Sequence, residues 1–292
     1  MSLLAIVGQY KRVDFYKATG FYRQLIYKKR RFKLAKDALE TEVVDEILNV
    51  RKRYKRLGGR RMFFKLNLKI VGINKFEKIM SANNLGVKIR KKRIKTTQGV
   101  YDDCDKNLIN GLELNDINQA MAGDITYLIL SNMTFYIYTL KDMYSKRIVG
   151  LHGSDNLFAH NAIVVLKQAR TLRGKAVYNC IHHTDAGSQY KSNAYKDLLN
   201  KSKMKQSIAS NCLENGMAEQ LNGTIKNDYL PERINSVAEL NKILAKVKKT
   251  LNEEIPIKSL GYKTPVQFEN EIKSIPKERR SIIKLYDFSD KV

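Results

Sequence analysis

DITYLILSNMTFYIYTLKDMYSKRIVGLH, residues 124 to 152, contains three consecutive runs rich in β-branched and aromatic residues: DITYLILS, TFYIYTLKD and KRIVGLH. SNM separates the first two, and the turn around Met143, Tyr144 and Ser145 separates the last two. Runs of this composition at this spacing predict an antiparallel meander. A helix is expected next across Ala159 to Leu172, where Ala162, Ile163, Val165, Leu166 and Ala169 recur at helical spacing. After Arg173-Gly174 a short strand, VYNCIHH, runs up to Asp185. A helix over about Ser192 to Asn200, a brief strand KQSIA (205 to 209) and a helix from near Asn215 that contains Glu219 complete the region. This α/β order leads naturally to a mixed sheet with helices packed on it.

The first hundred residues of the chain differ in kind. They hold 27 of the chain's 54 basic residues and 7 of its 29 acidic ones, a charge of +20 against +5 for the remainder. The runs KKRRFK (28 to 33), RKRYKR (51 to 56) and RKKRIK (90 to 95), with Tyr54, Phe63 and Phe64 among them, point to a polyanionic partner. TEVVDEILNVRKRY (41 to 54) places Val43, Val44, Ile47, Leu48 and Val50 on one stripe, with Thr41 as its expected cap. Gly58-Gly59 ends that helix, and a second is expected from Arg60 to about Lys69. The turn VGIN (71 to 74) follows, and Asn74 would cap a third helix ended by Leu85-Gly86. Two helices joined by a short glycine-containing turn predict a helix-turn-helix, with Lys75, Lys78 and Ser81 facing DNA. Any three-helix bundle shares this spacing, and the basic content favours DNA.

The expected organisation is a helical DNA-binding module over 1–96 (helix-turn-helix about 41–95), a linker over 97–117, an α/β core over 118–235 and a helical C-terminal segment over 236–292. Cys104, Cys180 and Cys212 lack metal-ligand spacing and read as reduced thiols of a cytoplasmic protein. No run approaches the ~20 apolar residues that span a bilayer. MSLLAIVG is too short for a signal peptide. No membrane partner is expected.

The α/β region carries three notable carboxylates. Asp124 is expected at the start of the first strand, Asp185 at the end of a later one and Glu219 on a helix. Asn215, Glu219, Asn222 and Lys226 form one polar stripe beside the apolar Ala218, Leu221 and Ile225, so one face packs and the other presents Glu219 to a cleft. Oxygen donors without a thiolate or imidazole cage suit Mg²⁺ or Mn²⁺. Two such ions ~3.5 to 4 Å apart serve an in-line phosphodiester displacement. A zinc site at His182 and His183 is the weaker reading, because adjacent strand residues point to opposite faces. A Ser188 nucleophile lacks its G-x-S-x-G elbow. Surface charge is the ordinary role of any one carboxylate taken alone.

These residues resemble the OrfB-type DDE transposases of bacterial insertion sequences, in the retroviral-integrase superfamily. GDITYL (123 to 128) is similar to the family's first-Asp motif, and KDMYSKRIVG (141 to 150) to the hairpin after it. HTDAGSQY (183 to 190) resembles its second, and ENGMAEQLNGTIKND (214 to 228) its final-Glu helix. LGYKTPVQF (260 to 268) resembles its C-terminal signature, and LGGRR (57 to 61) its helix-turn-helix. The chain departs from the pattern in a shorter interval of 33 residues between Asp185 and Glu219, in Met121 where tryptophan is usual, in Ile255-Pro256-Ile257 and in Asp228.

The resemblance implies an RNase H-like mixed sheet flanked by helices, preceded by the all-α module. It implies Asp124, Asp185 and Glu219 as a catalytic triad holding two Mg²⁺ or Mn²⁺ ions. It also implies cleavage at the ends of an insertion sequence and joining of the freed 3′-hydroxyl to a target strand. Lys226, His183, Asn215, Asn222, Arg60, Arg61, Lys75 and Lys78 are the expected DNA contacts. The partners would be double-stranded DNA (terminal inverted repeats and target), further copies of the chain in a homo-oligomer and an upstream-frame protein, and the location the bacterial nucleoid. A DNA-binding relic or repressor with an inactive core, and an RNase H-type nuclease, are the competing readings.

Overall fold

The computed structural model describes residues 17–18, 20, 23–87, 106–130, 133–209 and 214–285. The run RKKRIK, the first part of the expected linker, Cys104, Cys212 and the loop 210–213 lie outside the described residues. Two compact units divide between Lys88 and Ile89.

The first unit packs α1 (Arg23–Arg53), α2 (Gly59–Leu66) and α3 (Ile73–Ala82) around Val43, Ile47, Met62, Phe76, Ile79 and Met80. Arg51 ties the three together, donating to the carbonyls of Leu57 at 2.8 Å and Leu85 at 3.0 Å. Four local expectations are corrected. Thr41 does not cap α1, which starts at Arg23; its hydroxyl donates to the Asp37 carbonyl within the helix. The upstream stretch is rich in Lys, Arg, Leu and Ala, strong helix formers, and the helix runs through it. Gly72, not Asn74, is the N-cap of α3. Its end is set by Asn84 at φ 54°, with the Leu85 N–H donating to Met80 O and the Asn84 N–H to Ser81 O, so Asn84 takes the left-handed place read at Gly86. Leu48 is exposed, leaving a narrower stripe of Val43 and Ile47 inside.

The second unit is the expected mixed sheet. β2 (Ala120–Ile129), β3 (Thr134–Asp142) and β4 (Ile148–Ser154) form the antiparallel meander, and β5 (Ile181–Thr184) and β6 (Lys205–Ile208) add in parallel to β2, giving the order β4-β3-β2-β5-β6. On one face α4 (Ala159–Arg173), the short α5 (Ser188–Lys191) and α6 (Asn193–Lys201) bury Met121, Tyr138, Leu140, Leu166 and Tyr195. On the other, α7 (Gly216–Thr224) packs Ala218 against Ala120 and Ala122. Glycines let helices approach β4 from both sides. A Cβ at Gly150 would fall 2.6 Å from the Val165 carbonyl of α4, and one at Gly153 2.4 Å from Leu240 of α8 (Val237–Glu253). Met121 is fully buried in this core.

The described parts of the expected linker and C-terminal segment belong to this unit. Ile109 and Leu114 are buried, and β1 (Glu113–Leu114) pairs with β7 (Ile283–Lys284). Gly111 and Asn118 take positive φ in turns of packed chain. α9 (Pro265–Ile272) begins with a capping box of Thr264 and Gln267 and delivers the buried Glu269 to Arg147, Arg173 and the Ser145 hydroxyl. Among the described residues no helix is long and apolar enough to cross a membrane.

Candidate active site: a carboxylate cleft

β2 and β5 lie side by side, with Ala122 opposite His183. Asp124 stands two residues beyond that pair, and Asp185 two residues beyond its partner. Asp124 is at the fifth position of β2, not its start, because the strand begins upstream with AMAG. Asp185 follows the last residue of β5, as expected. The Asp124 and Asp185 carboxylates are half-buried, whereas Glu219 is exposed on α7.

Asp124 is within electrostatic reach of both Asp185 and Glu219. Burial first, then the charges of Asp185 and Glu219, push the Asp124 carboxyl up to about 7, against hydrogen bonds from the Ile125 backbone and Asn222 that favour its ionised form. Burial also raises Asp185, opposed by the Gly187 N–H, which donates to Oδ1 at 3.3 Å. At Gly187 the backbone comes so close that a Cβ would stand 3.1 Å from that same Oδ1.

α7 is fixed to β2 by its polar stripe. Asn215 Nδ2 donates to the Gly123 carbonyl at 3.0 Å, and Asn222 Nδ2 to Asp124 Oδ2 at 2.7 Å. Asn222 Oδ1 accepts from the Thr139 hydroxyl at 3.1 Å. The helix then loosens into a π turn, Ile225–Tyr229, which carries Lys226 to the Tyr127 carbonyl at 3.3 Å.

This arrangement corrects several expected DNA contacts. Asn215 and Asn222 are 4% and 3% exposed and bind the sheet, so neither reaches a solvent-borne duplex. His183 is fully buried, its Nδ1 2.9 Å from Ser207 Oγ, and burial lowers it to about 4, so it is neutral and offers no charge to a phosphate. His182 faces the opposite side, as alternation predicts, with Nε2 2.9 Å from the Tyr195 hydroxyl. In the first unit Lys75 and Lys78 are exposed on α3, Arg61 is half-buried, and Arg60 Nε bonds Glu77 at 2.9 Å. The positioning role of Asn222 was missed; its place one turn after Glu219 was the available signal.

Among the described residues no three His, Cys, Asp or Glu side chains close into a ready-made chelate. The carboxylates form an open, oxygen-only set, which fits a hard ion that keeps several waters and binds through few protein ligands. The mutual repulsion at Asp124 and the space kept open beside Asp185 at Gly187 agree with a cation between them.

The sequence matches the integrase core domain family over residues 115–211, and a second integrase core domain family over residues 201–265. A 31 kDa protein of insertion element IS600 from Shigella sonnei is 27% identical over 73% of this chain and 79% of its own. A putative transposase, InsK of IS150 from Escherichia coli K12, is 24% identical over 74% and 78%. Among solved structures, the HTLV-2 integrase catalytic core in complex with magnesium aligns with a TM-score of 0.43 at 22% identity, covering 55% of this chain and 99% of that one.

Proposed function

Because the chain belongs to the IS3-type DDE transposases of bacterial insertion sequences, enzymes of the polynucleotidyl transferase type, we propose that Asp124, Asp185 and Glu219 carry strand cleavage and 3′-hydroxyl strand transfer at the element ends. The observation that carries this reading is the half-buried Asp124, raised to about 7 by burial and by two further carboxylates from separate elements. Isolated carboxylates are ordinarily solvated surface groups; three sharing one cleft suit a divalent cation. Two Mg²⁺ or Mn²⁺ ions there would activate the attacking oxygen and stabilise the leaving oxygen of an in-line displacement.

The protein's own residues do the rest. Asn222 orients Asp124 through a 2.7 Å bond, and the Gly187 N–H holds Asp185. Lys226, at the edge of the cleft, supplies positive charge to a phosphate. In the first unit Lys75 and Lys78 on α3 grip the duplex of the terminal repeat, an attraction that weakens as salt rises. Strand transfer to a target would be carried out by a homo-oligomer with an upstream-frame partner.

The test uses Mn²⁺ and two substrates: a duplex bearing the terminal repeat that flanks the gene, and an RNA–DNA hybrid of unrelated sequence. End-specific nicking of the duplex is expected. Hybrid cleavage without end preference would replace the proposal by an RNase H-type nuclease. Salt-sensitive binding with neither reaction would leave a DNA-binding repressor.

A further inference from the structure

The loop from β4 to α4 ends on Phe158, which is 71% exposed. Phe158 is also the N-cap of α4, and its side chain caps nothing. Ser, Thr, Asp and Asn are favoured there, so a phenyl ring forgoes a capping bond while adding apolar surface to water. The loop beneath it is firmly held. Asn156 Oδ1 accepts from the Phe158 N–H at 3.2 Å and from Asn161 Nδ2 at 2.8 Å, and the Tyr138 hydroxyl donates to Asn156 O at 3.1 Å. A well-braced backbone that holds out an apolar ring breaks a local rule with no gain in packing, which is the mark of a functional position.

More exposed apolar surface continues along the same sheet face. Tyr127 and Tyr136 are cross-strand partners with ring centroids 5.1 Å apart, and Tyr136 lies two residues from Tyr138, so all three side chains share that face. Tyr127 is 45% and Ile129 76% exposed.

The Phe158 end of this row adjoins Asp185. Gln189 Nε2 donates to the carbonyl of Leu157, next to Phe158, at 3.0 Å. A Cβ on Gly187 would lie 3.1 Å from both Gln189 Oε1 and Asp185 Oδ1, so the Gln189 amide and the Asp185 carboxylate flank one point. At the other end Lys226 reaches the Tyr127 carbonyl.

We propose that Phe158, with the Tyr127–Tyr136 pair beyond it, is a stacking rim that receives an unpaired base of the DNA strand whose phosphate lies at the carboxylates. The inference rests on the strand-transfer reading. A phosphate drawn into the cleft at a duplex end brings its base out of the stack, and an exposed ring offers that base a new stacking partner of any sequence. Charge favours nucleic acid over protein as the occupant, because Lys226 lines one end of the row and the chain carries +25 overall.

The chain has no tryptophan, so Phe158→Trp installs a single indole as a reporter. It is titrated, without divalent metal, with a duplex carrying a short single-stranded thymine overhang and with the same duplex blunt. The overhang should quench the indole. Phe158→Ala should weaken overhang binding roughly tenfold or more while leaving the blunt duplex unchanged. Absent quenching, or an equal loss on both duplexes, would overturn the rim. A changed oligomeric state with both affinities intact would overturn it too and assign the surface to protein. Strand joining in Mn²⁺ is read separately: joining without quenching removes only the rim, and quenching without joining removes strand transfer and keeps the rim.

Discussion

At Asp124 a carboxylate sits half-buried beside Asp185 and Glu219, and its ionisation opposes folding in the absence of a cation. Its carboxyl lies at about 7 in the folded chain against an ordinary 3.8, so the folded state binds the extra proton between those values. Stability from this group therefore falls as pH rises through that window, and the penalty is complete above it. Asp124→Asn removes the penalty. In metal-free buffer its melting temperature should exceed the wild type's at pH 8, and the gap should close as pH approaches 4; a gap that grows on acidification would contradict the assignment. Asp185 was legible in the sequence because it ends an apolar run, where strand alternation and a small polar turn fix its place. Asn215 and Asn222 were not read correctly. Their spacing put them on the stripe of Glu219, but a stripe does not say how deep each position lies, and the narrow gap between α7 and β2 buries both.

Among the elements, the meander and α4 were legible from local composition alone, since period-two runs and a helical period each leave a signature within a few residues. The extent of the catalytic unit was not. Glu269 meets Ser145, 124 residues away in sequence, and no local pattern records such a pairing. A partial signal existed in T-P-V-Q (264 to 267), whose threonine and glutamine close the capping box that starts α9. Glu269 is 1% exposed. Burial alone would raise its carboxyl, but hydrogen bonds and charge from Arg173, with Ser145 and Arg147, hold it below the usual carboxylate range. This lowered value contributes stability that is present above the ordinary glutamate range and is lost as pH falls through the folded value. Glu269→Ala leaves two guanidinium groups without their carboxylate and should cost about 3–5 kcal/mol at pH 7 by urea denaturation, with the difference shrinking in acid. An unchanged midpoint at pH 7 would show that the clamp is not what fixes the C-terminal helix to the sheet.

Across the whole molecule, charge and fold divide the chain in neighbouring places, the charge at about residue 100 and the fold after Lys88. The strongly basic first hundred residues supply the three-helix unit, and the nearly balanced remainder builds the mixed sheet that carries the carboxylates. The matches to the two integrase core domain families run through the sheet and both halves of the cleft, residues 115 to 265. The proposed function requires that these three carboxylates, acting together, move a DNA strand. The most direct measurement is joining of a labelled terminal-repeat duplex to a target plasmid in Mn²⁺, comparing the wild type with Asp124→Asn, Asp185→Ala and Glu219→Gln. Joined product is expected from the wild type alone, with all four proteins folded and binding the duplex equally. Joining retained by any one of the three variants at the wild-type rate would contradict it.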